Sequence, residues 1–345
     1  MSTAIKLDKV SIVFGDKPEL ALPLMDEGLD RATIQDKTNQ LMAVRDCSFT
    51  VEEGEIFVLM GLSGSGKSTL LRAVNGLNPV IRGSVHVNAG DRLLDVTKAS
   101  SMQLKKIRRN RVAMVFQQFA LLPWRTVAEN VGLGLELAGM PKHHRREAVL
   151  EQLALVGLED WADNQVSELS GGMQQRVGLA RAFATQAPIL LMDEPFSALD
   201  PLIRCKLQDE LLDFQQKLKR TILFVSHDLD EAFKLGNRIA IMEGGLIKQI
   251  GTPQTIFSKP ADAYVADFVA NMNPLGVLRV CDGMVKPSRD HYQATIAHDT
   301  LLSDSLDALV NSDAPLGVIH NNRLVGELSG RNALRLLSGH LSEDD

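Results

Sequence analysis

Apolar and polar residues alternate in the first segments of the chain. Residues 5–14 (IKLDKVSIVF) and 43–51 (AVRDCSFTV) change character at nearly every position, which is typical of strands that bury one face. Residues 84–97 indicate a further small β region. Residues 16–40 differ, because they are charged and contain two prolines. We therefore predict an insertion between the first two strands, with a short helix over 30–40.

Farther along the chain, short apolar runs alternate with helical segments. The apolar runs predict strands buried on both faces at 55–60, 112–116, 189–193 and 221–226. Helices are predicted at 67–76, over most of 124–187 and at 202–219. Strands that alternate with helices in this way indicate an α/β fold with a mainly parallel sheet covered on both faces.

The pattern changes after Phe268. Residues 269–278 (VANMNPLGVL) contain Asn, Pro and Gly and are typical of a linker. We therefore predict two domains, residues 1–268 and residues 269–345, of which the second is a small α+β module. The elements of this module are predicted as helices at 302–312 and 331–340 and as strands at 315–320 and 323–328.

Composition and charge narrow the class of protein. The chain has 345 residues and a formal net charge of −6, which disfavours a nucleic-acid-binding protein. Its three cysteines, Cys47, Cys205 and Cys281, are scattered and indicate reduced thiols in a cytosolic protein. No N-terminal signal peptide is recognisable, and no apolar run approaches 18 residues. If the protein works at a membrane, we expect another chain to provide the spanning segments.

A glycine-rich segment between a predicted strand and a predicted helix fits the spacing G-x-x-x-x-G-K-[ST] of a phosphate-binding loop. Glycines allow backbone N–H groups to converge on phosphate oxygens, and the start of the helix adds a favourable field. Lys67 is predicted to neutralise the β and γ phosphates during catalysis, and Ser68 to offer a hydroxyl to Mg²⁺. The residues predicted to contact the nucleotide are Gly61, Leu62, Ser63, Gly64, Ser65, Gly66, Lys67, Ser68 and Thr69.

Polar side chains stand at the ends of three other predicted strands. Asp193 ends a buried strand and is predicted to hold Mg²⁺ directly or through water. Glu194 follows it and is predicted to polarise the water that attacks the γ phosphate. His227, after the neighbouring strand, is predicted to contact the γ phosphate or that water. The amide of Gln117, after a further strand, is predicted to contact Mg²⁺ or water.

A second glycine-containing segment, residues 167–176 (SELSGGMQQR), lacks the lysine of a phosphate loop. Ser170, Gly171 and Gly172 precede a predicted helix, so that a hydroxyl, backbone N–H groups and the helix dipole point outward together. This arrangement suits a phosphate group, although Lys67 already serves the nucleotide of the same chain.

The order of these motifs carries a family resemblance. The phosphate loop, Gln117, LSGGMQQR, LLMDEP, SALD and His227 together resemble the nucleotide-binding subunit of an ATP-binding cassette (ABC) transporter over residues 5–265. The resemblance implies a P-loop ATPase with a RecA-like core, an antiparallel β subdomain and a helical subdomain at about 120–187. It also implies that the cofactors are ATP and Mg²⁺ and that hydrolysis is coupled to solute transport.

The same resemblance assigns further nucleotide contacts. It places the 167–176 segment far from Lys67 of its own chain, which implies that the segment closes on the γ phosphate held by a second copy in a homodimer. Gln174 and Asp200 are implied to contact the nucleotide as well. Phe14 is implied to stack on adenine, with a buried core phenylalanine as the alternative.

A narrower resemblance concerns the solute. Residues 16–40 and the segments around the motifs resemble ATPases of importers for glycine betaine, proline betaine or choline, and are most similar to those of choline importers. This implies a membrane permease and a periplasmic or lipid-anchored solute-binding protein as partners, at the cytoplasmic face of the inner membrane. The alternatives are an importer of another amino-acid-like solute and a soluble ABC ATPase. Residues 269–345 resemble a single cystathionine-β-synthase-type module, with a ligand-free packing or dimerisation domain as the alternative.

Overall fold

The computed structural model of the protein describes residues 2–117, 120–197, 199–270, 272–312 and 314–337. The chain divides into two compact units. The first takes in the chain up to Asp228 together with Asn237–Lys248, and the second takes in Leu229–Gly236 and the chain from Gln249 onward.

The strands and helices lie close to their predicted positions. The strands are β1 (Thr3–Phe14), β2 (Leu41–Glu52), β3 (Ile56–Met60), β4 (Arg82–Asn88), β5 (Leu93–Asp95), β6 (Val112–Val115), β7 (Ile189–Asp193), β8 (Thr221–Ser226), β9 (Arg238–Glu243), β10 (Leu246–Gly251), β11 (Thr295–Ala297), β12 (Leu316–His320) and β13 (Arg323–Leu328). The helices are α1 (Ala21–Asp26), α2 (Arg31–Thr38), α3 (Lys67–Val74), α4 (Ser101–Asn110), α5 (Val127–Val131), α6 (Leu133–Leu137), α7 (Lys142–Leu155), α8 (Gly171–Ala184), α9 (Pro201–Leu218), α10 (Leu229–Leu235), α11 (Pro253–Ser258), α12 (Ala263–Val269), α13 (Val280–Gly283), α14 (Leu302–Val310) and α15 (Gly330–Leu337).

The pattern of apolar and polar residues in the sequence predicts most of these elements, although it misses β9, β10 and several short helices. The part of the predicted helix 331–340 beyond Leu337 lies outside the described residues. Within the described part of the chain, the helices are all too short or too polar to cross a membrane.

The first unit contains an antiparallel sheet in the order β2-β1-β4-β5. Phe14, the last residue of β1, pairs with Leu41, the first residue of β2. The insertion predicted at 16–40 connects the two strands and folds into α1 and α2 on a small core of its own. That core consists of Val13, Ala21, Met25, Ile34 and Met42, none more than 5% exposed. Burial of each larger side chain stabilises the insertion by about 1.5–3 kcal/mol.

The first unit also contains a parallel sheet in the order β9-β3-β8-β7-β6, and β10, which begins in this unit, follows β9 at the edge of that sheet. All residues of β3, β7 and β8 are buried, as their apolar runs predict. Met60 pairs with Ser226, and Asp193 pairs with Val225. The carboxyl ends of these three strands therefore meet at one edge of the sheet, where the predicted nucleotide residues follow.

Helices α5 to α8 form the predicted helical subdomain. Val131, Leu153 and Val177, from α5, α7 and α8, are fully buried in one apolar cluster. Ser170 is the N-cap of α8, and its Oγ accepts a hydrogen bond from the Met173 N–H. The subdomain core therefore fixes the start of the helix that carries the LSGGMQQR motif.

The second unit contains the sheet β11-β12-β13 and a core of its own. The buried residues of this core are Leu278, Val280, Leu302, Val318, Leu328, Ala333 and Leu336. Phe257 packs against the core, which explains why residues 249–268 group with the tail rather than with the first predicted domain. Leu278, at the end of the predicted linker, is fully buried. The end of the segment is therefore part of the core of the second unit and not an exposed connection.

Candidate functional site

The phosphate loop connects β3 to α3, in the strand–loop–helix context that the motif requires. Gly61 has φ +146°, and a Cβ there would lie 2.2 Å from the Met242 carbonyl oxygen. Gly66 has φ +99°, and a Cβ there would lie 2.6 Å from the Ala43 carbonyl oxygen. Both positions therefore require glycine, for backbone conformation and for space.

Lys67 is buried and turns back onto its own loop. Its Nζ donates hydrogen bonds to the carbonyl oxygens of Gly61 at 2.8 Å and Leu62 at 2.9 Å. Burial lowers the pKa of the Lys67 ammonium, and the charges of Glu194 and Asp193 oppose this shift. The negative charge of a phosphate group would stabilise the buried ammonium. The site is therefore suited to a polyphosphate.

A cleft of about 360 Å³ lies over this loop, within the size range of small-molecule sites. The lining residues that the sequence predicts are Phe14, Ser63, Gly64, Gly66, Lys67, Ser68, Thr69, Gln117 and Glu194. The loop residues Gly61, Leu62 and Ser65 do not line it. The cleft also includes Arg31, Leu41 and Ala43, which the motifs do not predict.

Glu194 accepts two side-chain contacts on a single oxygen. Its Oε2 accepts a hydrogen bond from Gln117 Nε2 at 3.0 Å and lies 3.1 Å from His227 Nδ1. The backbone of Glu194 has φ +49°, a strained conformation for a residue with a Cβ. Strain of this kind is concentrated at functional sites, and here it occurs at a carboxylate in contact with Gln117 and His227, two other predicted site residues.

Asp193 is fully buried and faces Arg72 of α3. Its Oδ2 accepts from Arg72 Nη2 at 2.8 Å and from Arg72 Nε at 3.2 Å. Its Oδ1 and the Ser65 hydroxyl are buried and have no hydrogen-bond partner among the residues that the structure describes. The motif pattern misses Arg72, because only the packing of α3 beside β7 brings the two side chains together.

The predicted magnesium residues have the donor set that suits this ion. Ser68 and Gln117 line the cleft, whereas Asp193 does not. A hydroxyl, an amide oxygen and one carboxylate, completed by water and substrate phosphates, are ligands that Mg²⁺ accepts. The unpartnered Oδ1 of Asp193 is a free acceptor for the ion or for one of its waters. Among the described residues, no three His, Cys, Asp or Glu side chains cluster as a metal site.

The predicted residues of the second glycine segment do not line this cleft. Ser170 and Gly171 are exposed, and Gly171 and Gly172 are the first two residues of α8 rather than residues before it. Gln174 Nε2 donates to the carbonyl oxygens of Val166 at 3.2 Å and Leu169 at 3.1 Å, which braces the segment. The exposed Asp200 is the N-cap of α9 and likewise lies outside the cleft's lining.

The fold and the site together define a class of protein. A glycine loop with the buried Lys67 joins the parallel strand β3 to α3. Two carboxylates, Asp193 and Glu194, stand at the end of β7, which is separated from β3 by one strand. An antiparallel sheet and a helical subdomain complete the unit. This combination is that of a P-loop ATPase of the ABC type.

Comparisons with known proteins identify the family. Residues 44–197 match the ABC transporter family. The chain is 48% identical over 296 residues to the glycine betaine/proline betaine transport system ATP-binding protein ProV of Salmonella typhimurium, across 81% of this chain and 73% of that protein. It is 39% identical over 326 residues to the trimethylamine N-oxide transport system ATP-binding protein TmoW of Pelagibacter ubique, across 94% of both. The chain belongs to the ATP-binding proteins of ABC transporters.

Solved structures agree with this assignment. The dimeric structure of MJ0796, a bacterial ABC transporter cassette, matches with a TM-score of 0.62 and 31% identity, across 72% of this chain and 98% of that one. A second dimeric structure of MJ0796 is a post-hydrolysis state bound to ADP and Pi. The predicted fold class and the predicted activity, an ATPase of the ABC transporter family, are thereby confirmed.

Proposed function

We propose that the chain powers the uptake of a small quaternary ammonium or related methylated amine solute, such as glycine betaine, proline betaine or trimethylamine N-oxide. The observation that supports this most strongly is the 48% identity to the glycine betaine/proline betaine protein over 296 residues. The similarity to the trimethylamine N-oxide protein across 94% of the chain is consistent with it. Choline, which the sequence resemblance favours, stays a prediction within the same class of solute.

For hydrolysis, Glu194 is the proposed general base. Its carboxylate accepts the proton of the water that attacks the γ phosphate, and Gln117 and His227 orient it through Oε2. Lys67 exchanges the carbonyl oxygens of its own loop for phosphate oxygens when nucleotide binds. Mg²⁺ would neutralise phosphate charge, and Ser68, Gln117 and Asp193 are the residues proposed to hold it.

The lining of the cleft suits both the base and the phosphates of ATP. Phe14 and Leu41 provide apolar surface, and Phe14 is proposed to stack on adenine. The phosphate loop provides backbone N–H groups for the phosphates. Because the second glycine segment lies outside this lining, we propose that it serves another copy in a homodimer. Its contacts with that nucleotide would come from Ser170, Gly171, Gly172, Gln174 and Asp200.

The proposed partners follow from the transport function. A chain without a described membrane-spanning helix needs a permease subunit to couple hydrolysis to transport. A solute-binding protein would deliver the solute, since aromatic residues, the usual components of a cage for quaternary ammonium, make up only 5% of this chain. The proposed location is the cytoplasmic face of the inner membrane, bound to the permease.

Reconstitution tests this function. The chain is combined with its permease and solute-binding protein in liposomes, and ATP hydrolysis is measured with glycine betaine, proline betaine, trimethylamine N-oxide, choline and unmethylated glycine. We expect stimulation by at least one methylated solute and none by glycine. Stimulation by unmethylated amino acids alone would favour the alternative importer class, and failure to couple with any permease would favour a soluble ABC ATPase.

A further inference from the structure

Arg31 brings the insertion between β1 and β2 into the nucleotide cleft. It is the first residue of α2, and the Asp30 side chain caps that helix by accepting from the Thr33 N–H at 2.8 Å. Ile34, one turn farther on, is fully buried in the core of the insertion. The cap and the core together fix the start of α2, and therefore the position from which the Arg31 side chain extends.

The Arg31 guanidinium bridges two backbone segments that line the cleft. Its Nη1 donates to the Gly64 carbonyl oxygen at 2.7 Å, and its Nη2 donates to the Ala43 carbonyl oxygen at 2.9 Å. Gly64 belongs to the phosphate loop and Ala43 to β2, so the side chain links the two. A Cβ built on Gly64 would have no atom of the described residues within 4 Å, which means that this exposed residue of the loop faces open space.

The chemistry of this contact bears on phosphate binding. A phosphate loop works because N–H groups, rather than carbonyl oxygens, face the nucleotide. A carbonyl that a guanidinium holds is fixed in direction, and the cation offsets its partial negative charge. Arg31 is half-buried, and burial lowers the pKa of its guanidinium, although an arginine remains charged at neutral pH. The cleft therefore has a second fixed cation beside Lys67.

We propose that Arg31 is a positioning residue of the nucleotide site, which holds the phosphate loop in its binding conformation through the Gly64 carbonyl and adds positive charge beside the nucleoside triphosphate. This inference rests on the proposed nucleotide cleft and extends it to the insertion. The insertion thereby becomes part of the ATP site rather than a separate surface feature.

Three variants of the full chain distinguish an arginine that positions the phosphate loop from one that only attaches the insertion to the rest of the fold. Arg31→Ala removes both hydrogen bonds, and Arg31→Lys keeps the charge but replaces the planar fork of two Nη donors with a single ammonium nitrogen. Arg45→Ala is the matched control, because Arg45 Nη1 donates to the Leu29 carbonyl oxygen of the insertion at 3.1 Å and does not line the cleft. The Kd for ATP and the KM and kcat of hydrolysis are measured for each, with thermal melting as a check of folding.

We expect Arg31→Ala to raise the Kd and KM for ATP about tenfold while kcat changes less than about twofold, and Arg31→Lys to give a smaller rise. Arg45→Ala should match the wild type. An unchanged KM in Arg31→Ala, or an equal rise in Arg45→Ala, would overturn the inference. Should Arg31→Ala not fold, the KM of Arg31→Lys decides alone. Lys67→Ala tests the nucleotide cleft separately from Arg31. If Lys67→Ala binds ATP normally, the cleft itself is wrongly assigned.

Discussion

At the scale of single residues, Glu194 combines a strained backbone with an oxygen shared by two neighbours. Gln117 Nε2 donates to Oε2 and His227 Nδ1 lies 3.1 Å from it, so two side chains from outside the phosphate loop fix the direction of the carboxylate. Gln117 and His227 are on different loops, so a change in either loop alters the position of the Glu194 carboxylate.

Glu194→Gln should separate binding from hydrolysis. The amide keeps the size of the side chain and can still accept from Gln117, but it cannot take a proton from water. We expect hydrolysis to fall by about 10²- to 10⁴-fold while the Kd for ATP changes little. Single-turnover hydrolysis and equilibrium binding measure the two quantities. Glu243→Gln, the same change at a partly exposed ion pair with Lys248, is the control and should leave both unchanged.

The pH dependence of ATP binding should report Lys67. Burial lowers the pKa of its ammonium in the nucleotide-free chain, and phosphates should raise it again because they favour the charged form. ATP affinity should therefore be full at low pH and fall as pH rises through the lowered pKa, below the ordinary value of 10.5, by at most about tenfold per pH unit. The Kd for ATP measured from pH 7 to 10 checks this.

A second variant identifies the group responsible for that fall. Lys67→Arg keeps a positive charge throughout the range, so its weaker binding should not change in the same way with pH. Equal pH profiles for the two proteins would assign the fall to another group, and a flat wild-type profile would contradict the predicted role of the Lys67 ammonium.

At the scale of elements, the helical subdomain depends on the apolar face of α7. Leu153 is fully buried in its core, whereas Leu150 on the same helix is 36% exposed. Leu153→Ala should lower the free energy of unfolding by about 2–5 kcal/mol, and Leu150→Ala by much less. Denaturant titration of both variants measures the difference. Equal losses would mean that the face of α7 is wrongly assigned.

The elements also explain what the sequence could and could not predict. Buried strands such as β3 and β7 are recognisable because their apolar runs are short and bounded by turn residues. The phosphate loop is recognisable because its residues are contiguous. Arg31 and Arg72 are not, because each reaches the site only through packing between segments distant in the chain. The start of α8 shifts by two residues, because glycines are accepted in a first helical turn that Ser170 caps.

At the scale of the whole molecule, the proposed ATP site is divided between two copies of the chain. The cleft holds the phosphate loop, Gln117 and Glu194, while the exposed Ser170 and Gly171 are not among its lining residues. A second copy would bring its LSGGMQQR motif to the γ phosphate, and the lysine that this segment lacks would be Lys67 of the first copy. The dimeric MJ0796 structures, at 31% identity, show that this cassette fold can pair.

A substitution at the start of α8 tests the shared site without disturbing the fold. No atom of the described part of the chain lies within 4 Å of a Cβ built on Gly171, and an acidic side chain at a helix N-terminus is favourable. Gly171→Glu should therefore fold and bind ATP normally, but repel the γ phosphate of the other copy. Ser101→Glu, at the first position of α4, adds the same charge to another helix start and is the control.

The most direct test of the central claim is sedimentation velocity of Glu194→Gln with and without ATP and Mg²⁺. We predict a monomer without nucleotide and a dimer with it. In the same background, Ser101→Glu should still dimerise, and Gly171→Glu should remain monomeric although it binds ATP. A Glu194→Gln protein that binds ATP yet stays monomeric at saturation, or a Gly171→Glu variant that dimerises as well as its control, would contradict a site shared between two copies.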